Sequence, residues 1–154
     1  GKSHVLRVIR ELLYTEPERT GTSLKTALDY LLKVAKRKSV VFVISDFLDD
    51  GYWASLKVVN RKHDLIGIQL YDPAEMELPD MGLAKVEDPE TGAAFWIDTS
   101  SLDARNRLEK ELESQHSKFK KDSRKIGFDL IPIATNQDFV DPLMSFFRMR
   151  EKRY

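Results

Sequence analysis

Apolar residues recur along this chain at two different spacings. Val5, Leu6, Ile9, Leu12 and Leu13 follow a helical period, with Ser3 placed to cap the helix and Glu16-Pro17 placed to break it. The stretch TEPERTGTS then predicts a turn. Leu24, Ala27, Leu28, Leu31, Leu32 and Ala35 predict a second amphipathic helix ending in Lys36-Arg37-Lys38, where cations suit the macrodipole. At Val40 the spacing changes. Val40 to Ile44 is apolar throughout and β-branched at four of five positions, the pattern of a central parallel strand covered on both faces.

The alternation continues. A helix over 52–62 (Trp53, Leu56, Val59) leads to a second buried strand, DLIGIQLYD, over 64–72, completing a βαβ unit. Residues 83–98 read as two short extended runs around Asp88-Pro89-Glu90-Thr91-Gly92, an antiparallel hairpin appended to the sheet. From Thr99 to Ile126 a long helix carries its acids (Glu109, Glu111, Glu113) before its bases (Lys118, Lys120, Lys121, Arg124, Lys125), a solvated face, and stops at Gly127. A third buried strand, FDLIPIAT, and a last helix over 138–150 follow, with Pro142 in the first turn, where its missing N–H costs nothing. Phe139, Leu143, Phe146 and Phe147 share a face of that helix and are expected to pack under the sheet.

Such alternation predicts an α/β fold: an open parallel sheet with flanking helices and right-handed crossovers, in one domain over 1–154. Ligands of such sheets sit beyond the carboxyl ends of the strands, where Asp46, Asp72 and Thr135 fall.

Composition narrows the function more than the fold. Of 154 residues, 42% are hydrophobic and 32% charged, which suits one core. Lys plus Arg (25) balances Asp plus Glu (25), so no global field draws nucleic acid or an anionic membrane. The basic tail FFRMREKRY reads as macrodipole partners. Absence of cysteine removes disulfides and thiolate metal sites and fits a reducing, cytoplasmic setting. No apolar run approaches the roughly 20 residues that span a bilayer, so a soluble segment without membrane contact is expected. Gly1 stands where an initiator Met would be, so the numbering is expected to begin inside a longer protein.

Two stretches carry candidate chemistry. VVFVISDFLDDG ends a strand in Ser45 and Asp46 with Asp49 and Asp50 close behind, the oxygen-rich arrangement that holds a hard divalent cation. The bland reading makes Asp46 an acceptor of backbone N–H bonds and Asp49-Asp50-Gly51 a polar turn. In TGTSLKTAL, Gly21 permits a tight turn and Thr22 and Ser23 offer hydroxyls just before a helix, first of all a cap. Asp98-Thr99-Ser100-Ser101 likewise reads as an N-cap. His4, His63 and His116 lie in or beside helices and read as surface histidines, too scattered for a zinc site.

At these residues the chain resembles the von Willebrand factor A-like domains, and more closely the bacterial branch described as domain-of-unknown-function family fifty-eight. The resemblance runs through HVLRVIRELLY, GTSLKTALDYL, VVFVISDFLDD, HDLIGIQLYDP, ELPDMGLAKVEDPETG with WIDTSS, and FVDPLMSFFRMR, nearly the whole chain. It implies a Rossmann-like A domain whose Mg²⁺ or Mn²⁺ is held by an Asp-x-Ser-x-Ser loop, a Thr and an Asp; Thr22 and Asp46 match the last two. The Asp-x-Ser-x-Ser segment and its strand lie upstream of what is present here. The resemblance therefore implies an incomplete A domain lacking its N-terminal strands, with metal binding weak or absent in this chain and Val40–Ile44 left as an apolar sheet edge through which a homodimer could form.

The function so implied is non-catalytic: a metal-dependent adhesion-type, protein-binding module assisting a MoxR-type AAA+ ATPase in assembly or maturation of protein complexes. The rival is a Mg²⁺-dependent phosphoryl-transfer or phosphatase enzyme with Asp46 as nucleophile. Its Asp-x-Asp-x-Thr signature is missing, since Asp46 and Asp49 are three apart with no Thr, and no Gly-rich loop with Lys appears.

Overall fold

The computed structural model describes residues 1–16, 21–76, 79–87 and 93–152. The element order is α1 (Lys2–Tyr14), α2 (Leu24–Val34), β1 (Val40–Ser45), α3 (Trp53–Lys62), β2 (Asp64–Tyr71), α4 (Pro73–Met76), β3 (Leu83–Glu87), β4 (Ala94–Asp98), α5 (Leu102–Lys125), β5 (Asp129–Ala134) and α6 (Val140–Glu151). Strands β1, β2 and β5 form a parallel sheet in that order, and β3 and β4 form a separate antiparallel pair. This is α/β architecture with a partial Rossmann-like sheet and an antiparallel appendage. The five residues expected to turn the hairpin, 88–92, lie outside the described residues.

The period of two along each strand divides the core. Leu65 of β2 and Val41 and Val43 of β1 point to one face, where Leu28 of α2, Leu56 and Val59 of α3 and Phe128 complete the main cluster. On the opposite face Ile66, Ile131 and Ile133 meet Phe146 of α6. Leu56, Val59 and Ile66 are fully enclosed.

Gly67 explains how the main face closes. A Cβ there would collide with the Phe128 ring and approach Leu130 Cδ1 to 2.9 Å, so the missing side chain is what lets the aromatic ring lie against the strand. Phe128 reaches that place through the end of α5. Phe128 N–H donates to Ser123 O at 2.9 Å and Gly127 N–H to Arg124 O at 3.1 Å, the paired bonds of a Schellman motif, with Gly127 in the left-handed region at φ +64°. On the other face Arg150 anchors α6: its Nη2 lies 2.6 Å from Asp64 Oδ1 and its Nε 3.4 Å from Asp129 Oδ2. The guanidinium carbon also sits 5.5 Å from the centre of the Phe146 ring.

Four local expectations are corrected. β1 pairs in parallel as expected and is the sheet edge that the resemblance implies, not the central strand covered on both faces that its apolar run suggests; its Val40, Phe42 and Ile44 side chains are exposed while Val41 and Val43 are half-buried. Composition showed that both faces of β1 are apolar, and it could not show which face the described elements cover. Ser3 does not cap α1; Gly1 occupies that position, and its carbonyl accepts from His4 N–H. None of the α1 stripe is buried. On α6, Phe146 is buried but Phe139 is exposed, because it precedes the first helical turn and points off the packed stripe. Phe147 is exposed too, its ring edge-on to Phe42 of β1 at 6.4 Å.

Candidate functional site

The sheet is parallel, so the loops after β1, β2 and β5 emerge at one end, and Asp46, Asp72 and Thr135 are brought to it. Asp72 and Thr135 do local work there. Asp72 Oδ1 accepts from Ala74 N–H at 2.9 Å at the start of α4, and Thr135 N–H donates to Tyr71 O at 3.0 Å. Neither is drawn toward Asp46 by any hydrogen bond among the described residues.

The loop after β1 is more elaborate. Asp46 Oδ1 accepts from Leu48 N–H at 3.1 Å and from Ser45 Oγ at 3.2 Å, and Ser45 Oγ accepts from Phe47 N–H at 3.0 Å. These are the local bonds that let Ser and Asp turn a chain out of a sheet. Phe47 has φ +62°, an uncommon conformation for a residue with a bulky side chain. Its ring explains the conformation: it is buried, stacked on Phe119 of α5 at 5.0 Å and edge-on to Phe128 at 6.0 Å. The chain thus turns its apolar ring into the core and leaves Asp46 and Leu48 outside. Tyr52 Oη donates to Phe47 O at 3.2 Å and fixes the loop from below. Burial first, then the charges of Asp49, Asp50 and Asp46, push the Tyr52 phenol far above its ordinary pKa, so it remains a donor.

Asp49 joins this loop to the other candidate stretch. Its Oδ2 accepts from Leu24 N–H, the first residue of α2, at 2.7 Å, while its Oδ1 accepts from Asp50 N–H at 2.7 Å. Ser23 caps the same helix conventionally, its Oγ accepting from Thr26 N–H at 3.3 Å. The N-terminus of α2 therefore has two acceptors, one from 25 residues away, and the turn carrying Thr22 is tied to the loop carrying Asp46. Thr22 and Asp46 are both exposed.

A hard divalent cation takes about six oxygens, and the chemistry of a Thr hydroxyl and an Asp carboxylate suits it. The number falls short. Asp46 Oδ1 is already engaged by the loop, and among the described residues no group of three or more His, Cys, Asp or Glu side chains could hold a metal ion. Any cation here would need oxygens beyond Thr22 and Asp46.

Sequence reasoning missed the other side of the loop. A cavity of about 450 Å³ lies between it and α5. Gln69, the one amide in the apolar run of β2, lines the cavity; it is 6% exposed, and its Oε1 has no hydrogen-bond partner among the described residues. An unpaired buried acceptor costs about 1–3 kcal/mol. The signal was visible as a polar residue interrupting IGIQLY, but only its register beside Ser45 places it at the site. His63 is a plain correction. It is 3% exposed, ends α3 with its N–H on Val59 O at 2.8 Å, and has no partner for either ring nitrogen among the described residues, which an assignment to the surface did not anticipate. His116 is half-buried, edge-on to Tyr71 at 6.1 Å. The Asp98–Ser101 stretch does cap: Ser101 Oγ accepts from Ala104 N–H at 3.4 Å, and Asp98 Oδ1 from Ser100 N–H at 3.0 Å.

The fold and this loop-borne site define an α/β domain whose candidate chemistry lies at the carboxyl ends of a parallel sheet. The chain belongs to the family described as proteins of unknown function DUF58, whose model matches residues 1–118. It is 28% identical to an uncharacterized protein of Mycobacterium avium, over 99% of this chain and 91% of that protein. Uncharacterized proteins of Mycobacterium bovis and Mycobacterium tuberculosis are 25% identical over 99% of this chain, which spans 49% of their length. No solved structure matches the chain. Among the described residues no helix is long and apolar enough to cross a membrane.

Proposed function

We propose that the chain is the protein-binding part of a von Willebrand factor A-like module, non-catalytic, in which Thr22 and Asp46 contribute to a metal-dependent adhesion-type site and the partner is a MoxR-type AAA+ ATPase. The observation that carries this reading is the 2.7 Å bond from Leu24 N–H to Asp49 Oδ2, which couples the Thr22 turn to the Asp46 loop at the ligand-binding end of the sheet. Bound Mg²⁺ or Mn²⁺ would supply an open coordination position for a carboxylate of the partner. The chain's own residues supply the rest: Asp46 and Thr22 present oxygen at the surface, Asp49 fixes their relative position, and exposed Leu48 offers an apolar contact beside them. The missing oxygens are assigned to a segment outside this chain, a reading supported by its spanning 49% of two mycobacterial relatives.

Surface plasmon resonance of a protein extended upstream against a purified MoxR-type ATPase tests the reading. Binding in millimolar Mg²⁺ should weaken at least tenfold, about 1.4 kcal/mol, in EDTA or on Asp46→Ala. Equal binding by the wild type and Asp46→Ala in both buffers would rule out the site.

A further inference from the structure

Four helices, α2, α3, α5 and α6, end at one edge of the sheet. Strands β1, β2 and β5 run parallel, so α2, α3 and α5 each finish beside the start of the strand that follows, and α6 returns from β5 to the same amino-terminal edge. Hydrogen bonds and ion pairs tie these ends together. Lys62 Nζ of α3 donates to Ala35 O beyond α2 at 2.9 Å, and Asn60 Nδ2 of α3 donates to Ile126 O beyond α5 at 2.9 Å. Arg150 of α6 pairs with Asp64 and Asp129, which open β2 and β5, and Asp64 N–H donates to Ser39 O at 2.9 Å.

Each helix end is cationic, and taken singly each is a macrodipole partner. Convergence makes them one surface. Lys62, Lys125 and Arg150 are committed to carbonyls or carboxylates of the chain itself. Arg37 after α2, Arg61 on α3 and Arg124 on α5 are exposed and have no side-chain hydrogen bond or ion pair among the described residues. Asp46, Asp49 and Asp50 stand at the opposite edge, so a formal net charge of zero conceals two poles.

The ligand of such a surface is an anion, and its surroundings narrow the class. Guanidinium groups pair with carboxylates and phosphates in a fork. A single nucleic-acid strand wants flat rings to stack on, and a lipid surface wants aromatic anchors at headgroup depth. No aromatic residue falls in the last four residues of any of these helices or in residues 35–39. Exposed Val34 and Met149 lie there instead, and exposed Val40 opens β1 beside them. Arginine and methionine among aliphatic side chains suit a protein partner.

We infer that the amino-terminal edge of the sheet docks an acidic segment of a partner protein, with Arg37, Arg61 and Arg124 pairing with its carboxylates and Val34 and Val40 meeting its aliphatic residues. The surface needs no metal and lies at the other end of the strands from Thr22 and Asp46, so it stands independently of the adhesion-type site.

Fluorescence anisotropy in EDTA tests it, with a labelled peptide of repeated Glu-Leu-Ser units as probe, the same peptide with Gln for Glu, and a labelled single-stranded oligonucleotide of equal charge. Co-sedimentation with vesicles of phosphatidylcholine and phosphatidylserine is the lipid arm. The acidic peptide should bind saturably and the Gln peptide at least tenfold more weakly, with affinity falling as salt rises. Arg37→Gln, Arg61→Gln and Arg124→Gln should each weaken the acidic peptide about threefold and together at least tenfold. All three positions are exposed, so the melting temperature should hardly move, and the single variants serve if the triple one does not fold. A matched variant carrying Lys2→Gln, Arg7→Gln and Arg10→Gln removes the same charge from α1 and should shift affinity less than twofold. Tighter binding of the oligonucleotide or of the vesicles than of the peptide overturns the assignment to a protein. So does the absence of saturable peptide binding, or an equal loss in the two triple variants.

Discussion

Gly67→Ala should lower the stability of the chain by about 3 kcal/mol, toward the upper end of what overpacking a closed core costs. The added methyl would meet the Phe128 ring and Leu130 Cδ1 together, the latter at 2.9 Å. Phe128 cannot swing aside cheaply. Its ring is packed edge-on to Phe47, and its backbone is held by the Schellman bond to Ser123 O. Relief must come from separating β2 from that ring, which disturbs Phe47 and hence the candidate loop. Urea denaturation should show a lower midpoint with the slope unchanged. A midpoint equal to that of the wild type would mean that Phe128 does not lie against Gly67.

Arg150→Met comes next in size, with an expected loss of about 2 kcal/mol. Methionine keeps most of the apolar stem over Phe146 and removes the guanidinium, so Asp64 and Asp129 lose their shared partner. Removing one member of a fully buried ion pair costs about 3–5 kcal/mol; here the two carboxylates keep 33% and 30% exposure, and water moderates the effect. Amide hydrogen exchange should report where the loss falls. Protection should drop in α6 and β5 while α2 and α3, on the opposite face, keep theirs. Uniform loss across both faces would contradict the role of Arg150 as the anchor of α6.

These two residues also mark what a sequence can and cannot disclose. The elements were legible because their signals are local: the switch from helical to strand spacing at Val40, the Gly127 stop and the Ser101 cap all act within a few residues of themselves. Parallel pairing followed from alternation of helices and strands. Burial was legible where a face is apolar on a strongly periodic helix, as for Leu28 and Leu56. It was not legible for α1 or for the outer face of β1, because amphipathicity states a demand for cover and not whether cover is present. The same limit applies to the site. Asp46 was findable from its place after a strand. The link from Asp49 to Leu24 spans 25 residues, the pairing of Arg150 with Asp64 spans 86, and the collision at Gly67 depends on a ring contributed by another strand's approach; none has a local signature. Gln69 and His63 were overlooked for a related reason, since a polar residue in an apolar context announces its burial only after the register is known.

The central claim is that Asp46 and Thr22 are part of a metal-dependent site whose remaining oxygens lie outside this chain. Thermal unfolding in millimolar Mn²⁺ and in EDTA, on this chain, on a protein extended upstream, and on the extended protein carrying Asp46→Ala, tests it most directly, because a ligand that binds only the folded state stabilises by mass action. The account predicts that Mn²⁺ raises the melting temperature of the extended protein by several degrees, leaves this chain nearly unchanged, and has no effect once Asp46 is Ala. An extended protein that ignores Mn²⁺, or that responds equally with and without the Asp46 carboxylate, would contradict it.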